Sequence, residues 1–319
     1  MNALGRMGRK LMLAACVVGL SATVGQAAML YELKFDGQTL ANTGTKGGAA
    51  TVNSYTTGGN TFNPTFATDT FNSTGNSIEL PRSASTYRGP SLSLPDSTNA
   101  FRMQSGNDMT IAMWVKRNAQ GTTTTRQQGL VSTQVGTGNG SSGWSLYLEE
   151  VGTGTVGTRG ARLVFDNFVP DAGVGSRQRR AFSDNTTGNT SPIVNVNVDE
   201  WTHVAVSIDQ GSSITFYVNG QVTGGVQGHF NALNAVGVSL ANSQAVRVGP
   251  MYQSTATDSG PNQGIYPTFG KQDNVQLFDT ALSATEIADL MVAVPEPSSL
   301  ALAAVGGLML LRRRREALA

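Results

Sequence analysis

Residues 199–220 constrain the fold of this chain more than any other stretch. Asp199-Glu200-Trp201-Thr202-His203-Val204-Ala205-Val206-Ser207-Ile208-Asp209 alternates apolar and polar positions up to a Gln210-Gly211-Ser212-Ser213 turn. Ile214-Thr215-Phe216-Tyr217-Val218 then returns with the same period of two and ends at Asn219-Gly220. β-branched and aromatic residues at that period predict strands, and Asn-Gly supplies the positive φ values that a two-residue hairpin turn requires. The stretch therefore predicts an antiparallel meander, which needs further strands to cover its faces.

The rest of the chain supplies them. Tyr31–Gly37, Ser77–Leu80, Ser91–Leu94, Asp108–Lys116, Gly129–Thr133, Gly143–Leu148, Arg162–Asp166, Val246–Gly249 and Asp273–Phe278 all show strand patterns, with shorter pieces at 50–52 and 62–66. The alternation places Trp114, Trp144 and Trp201 in the core. Residues 170–192 predict a longer excursion, in which Arg177, Arg179 and Arg180 form a solvated basic loop rather than an anion site. Ser283-Ala284-Thr285-Glu286 is a capping box that predicts one short helix running to Met291. Strand follows strand with no βαβ rhythm, so the fold class is all-β, with two packed antiparallel sheets.

Composition agrees with that class. Charged residues are only 13% of the 319, and glycine contributes 38. Seven of the 22 basic residues and two of the 21 acidic ones lie outside residues 28–293, which leaves 15 against 19, a net charge of −4. Nucleic acid is excluded as a partner, because its recognition needs a basic footprint. The single cysteine, Cys16, falls in the leader, so the body has no disulfide or thiol chemistry.

Both ends read as delivery signals. Arg6, Arg9 and Lys10 precede an apolar stretch from Leu11 to Val24, and Gly25-Gln26-Ala27 is a small-x-small cleavage site. We read residues 1–27 as a signal peptide, cut between Ala27 and Ala28. Leu13-Ala14-Ala15-Cys16 offers a lipoprotein box as an alternative, but only five apolar residues precede Cys16 against the ~7–15 expected. At the other end, Val294-Pro295-Glu296-Pro297-Ser298-Ser299 breaks the preceding structure, since proline fixes its own φ and biases its predecessor away from helix. An apolar run to Leu311 and Arg312-Arg313-Arg314-Arg315 follow. From Ser298 the run has 14 residues, short of the roughly 17–25 of a lasting span, and the arginines fix its far end on the cytoplasmic side. This order of parts resembles the PEP-CTERM sorting signal of Gram-negative bacteria. The resemblance implies export, transient inner-membrane anchoring through residues 294–319, cleavage near Pro295-Glu296-Pro297 by an exosortase, and delivery to the cell surface or an exopolysaccharide matrix.

Three blocks of the body carry a second resemblance. Met109–Val115, Glu200–Val206 with Phe216–Gly220, and Asp273–Phe278 with Ala281–Ile287 resemble, in order and spacing, the laminin-G-like, concanavalin A-type jelly roll. The resemblance implies a two-sheet jelly-roll sandwich over residues 28–293 and a ligand that is a glycan or a protein; some relatives are polysaccharide-cleaving enzymes.

Catalytic patterns are missing. The Glu-x-Asp-x-(x)-Glu arrangement common in enzymes of this fold does not occur. Glu149 and Glu150 are adjacent and so point to opposite faces of a strand, while Asp166 and Asp171 flank a proline loop. His203 reads as a hydrogen-bonded structural residue, and neither a hydrolase triad nor zinc-ligand spacing can be assembled. Gly152-x-Gly154-x-x-Gly157 opens no helix and is a turn rather than a dinucleotide site. Calcium is the one ion the resemblance implies, with Asp36 and Asp273 as its ligands by position, joining first and last strands. Tyr252 and Tyr266, in a Gly- and Thr-rich loop, are the candidate sugar-stacking residues. The sequence thus predicts an exported, non-catalytic surface or matrix protein that binds a glycan or exopolysaccharide. An adhesive or structural protein without a specific small ligand is the alternative, and a polysaccharide-cleaving enzyme a more distant one.

Overall fold

The computed structural model describes residues 27–83, 88–95, 101, 108–119, 127–135, 142–151, 159–171, 175–184, 196–209, 213–224, 245–253, 264–266 and 268–291. The leader, the glycine-patterned 152–158 turn and the C-terminal sorting segment lie outside these. Among the described residues no helix is long and apolar enough to cross a membrane.

Two antiparallel sheets form the body. The first has the order β16 (Gln221–Gly224), β15 (Ser213–Val218), β14 (Trp201–Asp209), β9 (Met109–Arg117), β20 (Gly270–Phe278), β6 (Ser77–Leu80) and β5 (Thr65–Ala67). An eighth strand, β1 (Met29–Leu33), also pairs with β20. The second runs β13 (Gly175–Phe182), β12 (Ala161–Asp171), β11 (Gly143–Glu150), β10 (Gln127–Ser132), β17 (Arg247–Val248), β8 (Ser91–Ser93) and β2 (Thr51–Asn53). Two small sheets lie beside them: β18 (Tyr252–Gln253), β19 (Gly264–Ile265) and β7 (Arg88–Gly89), and the hairpin β3 (Tyr55–Thr57) with β4 (Asn60–Phe62).

The main core lies between the large sheets. Ile111, Met113 and Val115 of β9 and Val204, Val206 and Ile208 of β14 face Trp144, Leu146 and Leu148 of β11 and Leu163 and Phe165 of β12. Trp144 is fully buried and donates its Nε1 hydrogen to the Phe101 carbonyl at 2.8 Å. One ion pair sits inside this apolar layer. Arg117 at the end of β9 and Glu150 at the end of β11 meet at 2.7 Å, both buried, and Arg117 also donates to the Arg159 carbonyl.

The outward face of the first sheet is covered as well, which corrects the placement of two tryptophans. Trp114 and Trp201 are half-buried on that outer face, not in the core. Phe71 stacks on Trp114 at 4.5 Å, and the Trp201 Nε1 donates to Asp69 at 2.9 Å. Lys116 and Lys271 bind the same Asp69 carboxylate at 2.9 and 3.2 Å, so a single aspartate pins its loop across the sheet. Farther along the face, α1 (Ala284–Asp289) starts at the predicted capping box, with Ser283 and Glu286 exchanging side-chain-to-backbone bonds. Its Ile287 is buried among Tyr217, Phe278 and Leu282, and Ala27, Met29 and Leu290 pack against the same cluster. Both ends of the described body therefore leave from one patch.

The predicted turn at Asn219-Gly220 is present, with φ of 48° and 72°. The excursion predicted over 170–192 is different: β12 continues through Pro170 to Asp171, and β13 pairs with it residue for residue. Asp166 and Asp171 therefore lie within one strand, and Arg180 is a strand residue.

Candidate functional site

The outward face of the second sheet is organised by register. Successive antiparallel pairs align Thr51, Ser93, Arg247, Ser132, Ser145, Asp166 and Arg180, one residue from each of the seven strands. All seven are polar, and at ~4.8 Å per strand the row crosses the whole sheet over about 29 Å. Alternation explains why they share a face. On β11, Trp144, Leu146 and Leu148 point to the core, so Ser145, Tyr147 and Glu149 point outward. The same rule sends Glu150 inward to Arg117, so Glu149 and Glu150 do face opposite ways.

Asp166 anchors one end of the row. It is fully buried and accepts from the Tyr147 hydroxyl at 3.1 Å and from Nε of Arg180 at 3.1 and 3.3 Å. Burial, with the Asp166 charge beside it, pushes the Tyr147 hydroxyl well above its usual range, so it remains a donor. Arg180 keeps 35% of its side chain exposed, and its terminal nitrogens make no hydrogen bond to the described residues. Ser132, near the middle of the row, is buried, and its hydroxyl has no partner among the described residues. Arg247, also buried, has Ser93 and Ser132 as its ladder neighbours, and burial lowers its guanidinium to about 10.

Beside the row lies an apolar patch of Tyr147, Val164, Phe182 and Met251, with Tyr266 packed against it. Arg162 borders this patch: its guanidinium lies 4.1 Å over the Phe182 ring and bonds Glu149 at 2.7 Å and Asp184 at 3.2 Å. The backbone at 250–251 crosses so close to Gly129 that a Cβ there would overlap Met251. Tyr266 packs against this patch, and its carbonyl accepts from the Gly129 N–H at 2.7 Å. Tyr252 enters the same region through its β18 pairing with Ile265.

Asp36 and Asp273 converge at a second place. Asp273 precedes a bulge in β20, where Asn274 takes φ 48°, and β1 pairs with the strand just beyond. Phe35, Gly37 and Gln38 all adopt left-handed backbone conformations, which turn the chain tightly around Asp36. Burial raises the Asp273 carboxyl to about 8, and the Asp36 charge adds to the effect. Backbone N–H groups of Asn274 and Phe71 act the other way, and no described cation does. The side-chain oxygen of Asn274 is buried without a partner. Hard oxygen donors and uncompensated negative charge fit a calcium ion. No group of three or more carboxylate, histidine or cysteine side chains gathers among the described residues, so backbone oxygens would have to complete the shell.

His203 departs from its expected role. It stands edge-on to Trp114 at 5.3 Å, and its buried Nδ1 has no hydrogen-bond partner. Packing, rather than the predicted hydrogen bond, holds the ring.

Two antiparallel sheets packed on one apolar core define a β-sandwich. The chain belongs to the concanavalin A-like lectin/glucanases superfamily, whose family profile matches residues 86–288. A PEP-CTERM protein-sorting motif matches residues 293–315, marking the protein for export and exosortase-mediated surface sorting in a Gram-negative bacterium. No curated protein sequence matches the chain. Among solved structures, the binding domain of botulinum neurotoxin serotype C1 superposes with a TM-score of 0.51 at 14% identity, covering 84% of this chain and 53% of that one. Domain 4 of AbnA, a GH43 extracellular arabinanase from Geobacillus stearothermophilus solved with arabinotriose, gives 0.47 at 17% identity, covering 83% and 98%. At these identities the likeness is one of fold.

Proposed function

We propose that the processed protein is a non-catalytic glycan-binding module of the cell surface or extracellular matrix, with the exopolysaccharide of its own cell as ligand. The observation that carries this reading is the polar row beside an apolar, aromatic patch on the outward face of the second sheet. Polar groups at the exposed edge of the row orient a sugar's hydroxyls, while half-buried Tyr266 supplies apolar surface for the ring. The carboxylates of this face support binding over cleavage: Asp166, Glu149 and Asp184 are each held by an arginine. A glycosidase needs one carboxyl free to carry a proton. The test is a pull-down of the processed protein on the host's exopolysaccharide, with Ser93→Trp, at a partly exposed position of the row, to obstruct it. Retention of the native protein and loss in the variant is the expected outcome; no retention of either sinks the reading. The burial of Tyr147 and Asp166 favours the alternative, an adhesive or structural domain without a specific small ligand.

Calcium at Asp36 and Asp273 is part of the same proposal, as a structural ion near the junction of β1 and β20. Without the ion, Asp273 binds a proton more tightly in the folded than in the unfolded chain. Its contribution is therefore present at low pH and lost as pH rises from about 4 towards about 8. At pH 8, Asp273→Asn is expected to stabilise the calcium-free protein by about 2 kcal/mol and to abolish the rise in Tm on adding calcium. A calcium response that survives in the variant would place the ion elsewhere.

A further inference from the structure

The guanidinium at the end of the polar row identifies the kind of glycan that the face would take. Arg180 is fixed through one nitrogen only: both oxygens of Asp166 accept from Nε, and Tyr147 holds Asp166 in turn. This leaves the two terminal nitrogens of the fork, on a side chain that is one-third exposed, with no acceptor among the described residues. Nε engaged and the other two nitrogens free is the arrangement in which a guanidinium can take a planar anion with two parallel hydrogen bonds. The aspartate does not saturate the arginine; it orients it.

Four strands away, at about 19 Å by strand spacing, Arg247 occupies the same row between Ser93 and Ser132. The row thus places Arg180 and Arg247 on one line with Asp166, within a body whose net charge is −4. Arg247 is buried, which lowers its proton affinity, so the accessible guanidinium of the row is that of Arg180. Between the two arginines the row holds only Ser132, Ser145 and Asp166, and the Ser132 hydroxyl is still unpartnered. Both serines are buried, and Ser145 gives its hydroxyl to Gln134 at 2.8 Å, so the part of the row open to a ligand is its Arg180 end. Phe182, two residues along β13 on the same face, flanks the Arg180 end on the apolar side.

We propose that the ligand is an acidic polysaccharide, bearing carboxylate or sulfate groups, and that Arg180 sets this preference by accepting one such group on its terminal nitrogens. The inference rests on the glycan-binding reading above. Arg180 acts by direct contact, and Tyr147 and Asp166 are positioning residues.

The experiment compares polygalacturonate with its fully methyl-esterified form, which keeps the backbone and removes the charge, using affinity electrophoresis of the processed protein. A sulfated galactan serves as a third probe, to separate carboxylate from sulfate. The native protein is expected to bind an acidic polymer at least tenfold more tightly than the ester, with a preference that falls as salt rises. Arg180→Gln alone would strand the buried Asp166 charge and could unfold the sheet, so the main variant is Arg180→Gln with Asp166→Asn, which removes both charges together. Its folding is checked by circular dichroism and its melting temperature. The folded double variant is expected to bind charged and esterified polymers alike. Arg180→Lys keeps the charge without the fork and is expected to lose most of the discrimination.

The outcomes separate the two levels of the argument. If the native protein binds the ester as well as the acid, or the double variant still discriminates tenfold, the acidic preference is wrong while the glycan reading stands. If neither the acidic polymers, nor the ester, nor the host's exopolysaccharide is bound, both fall.

Discussion

Two buried groups set the energetic extremes of this protein. The Arg117–Glu150 pair lies in the apolar layer between the sheets, where desolvation offsets much of the Coulombic attraction but removal of one partner leaves a naked charge. Glu150→Gln is expected to cost about 3–5 kcal/mol, whereas Arg117→Met with Glu150→Leu should be close to neutral; urea denaturation compares them. His203 works through pH. Burial lowers its imidazole to about 4 from 6.5, so it stays neutral in the fold. The unfolded chain then binds the extra proton between those values. Its contribution to stability is complete above about pH 6.5 and is lost as pH falls towards about 4, to a limit of about 3 kcal/mol. His203→Phe should flatten that part of the acid limb in a Tm-against-pH series. An unchanged acid limb would mean that the ring is hydrated or protonated at little cost.

At the level of elements, the close crossing over β10 deserves a direct test, because it ties the 249–268 segment to the polar face. Gly129→Ala drives a methyl into the Met251 backbone and should destabilise by several kcal/mol, on the order of an overpacked core. It should also loosen Tyr266, whose carbonyl accepts from the Gly129 N–H at 2.7 Å; hydrogen exchange at Gly129 reports it. The sequence showed the local devices clearly. Asn219-Gly220 and the Ser283 capping box carry their chemistry within four residues, and both formed as read. Trp114 misled because alternation separates two faces without saying which is the core. Here both faces of the first sheet are covered, one by the second sheet and the other by Phe71 and α1. Arg180 misled because glycine, proline and charge around it imitate a loop, while the strand is held by pairing with β12. The polar row was beyond reach for a different reason. Its members span residues 51 to 247, and only the ladder register brings them together.

For the whole molecule, the matched sorting motif sets up a test of processing. Intact-mass measurement of the protein recovered from the cell surface is expected to show neither the leader through Ala27 nor the arginines at 312–315. A surface form that retains Arg312–Arg315 would refute processing at Pro295-Glu296-Pro297. Aspartates at the start and near the end of the chain, Asp36 and Asp273, converge although 236 positions separate them. A jelly roll that closes its first strand on its last makes such a meeting a matter of topology.

The shared patch under Ala27 and Leu290 has a consequence for presentation. A tether attached at either end pulls from the same side of the sandwich, the outward face of the first sheet. The outward face of the second sheet is on the other side, so partly exposed Arg180 points away from the tether whichever end is held, and even while both are. Joining the two ends with a short peptide and opening the chain at an exposed turn should therefore give a circular permutant that keeps the fold.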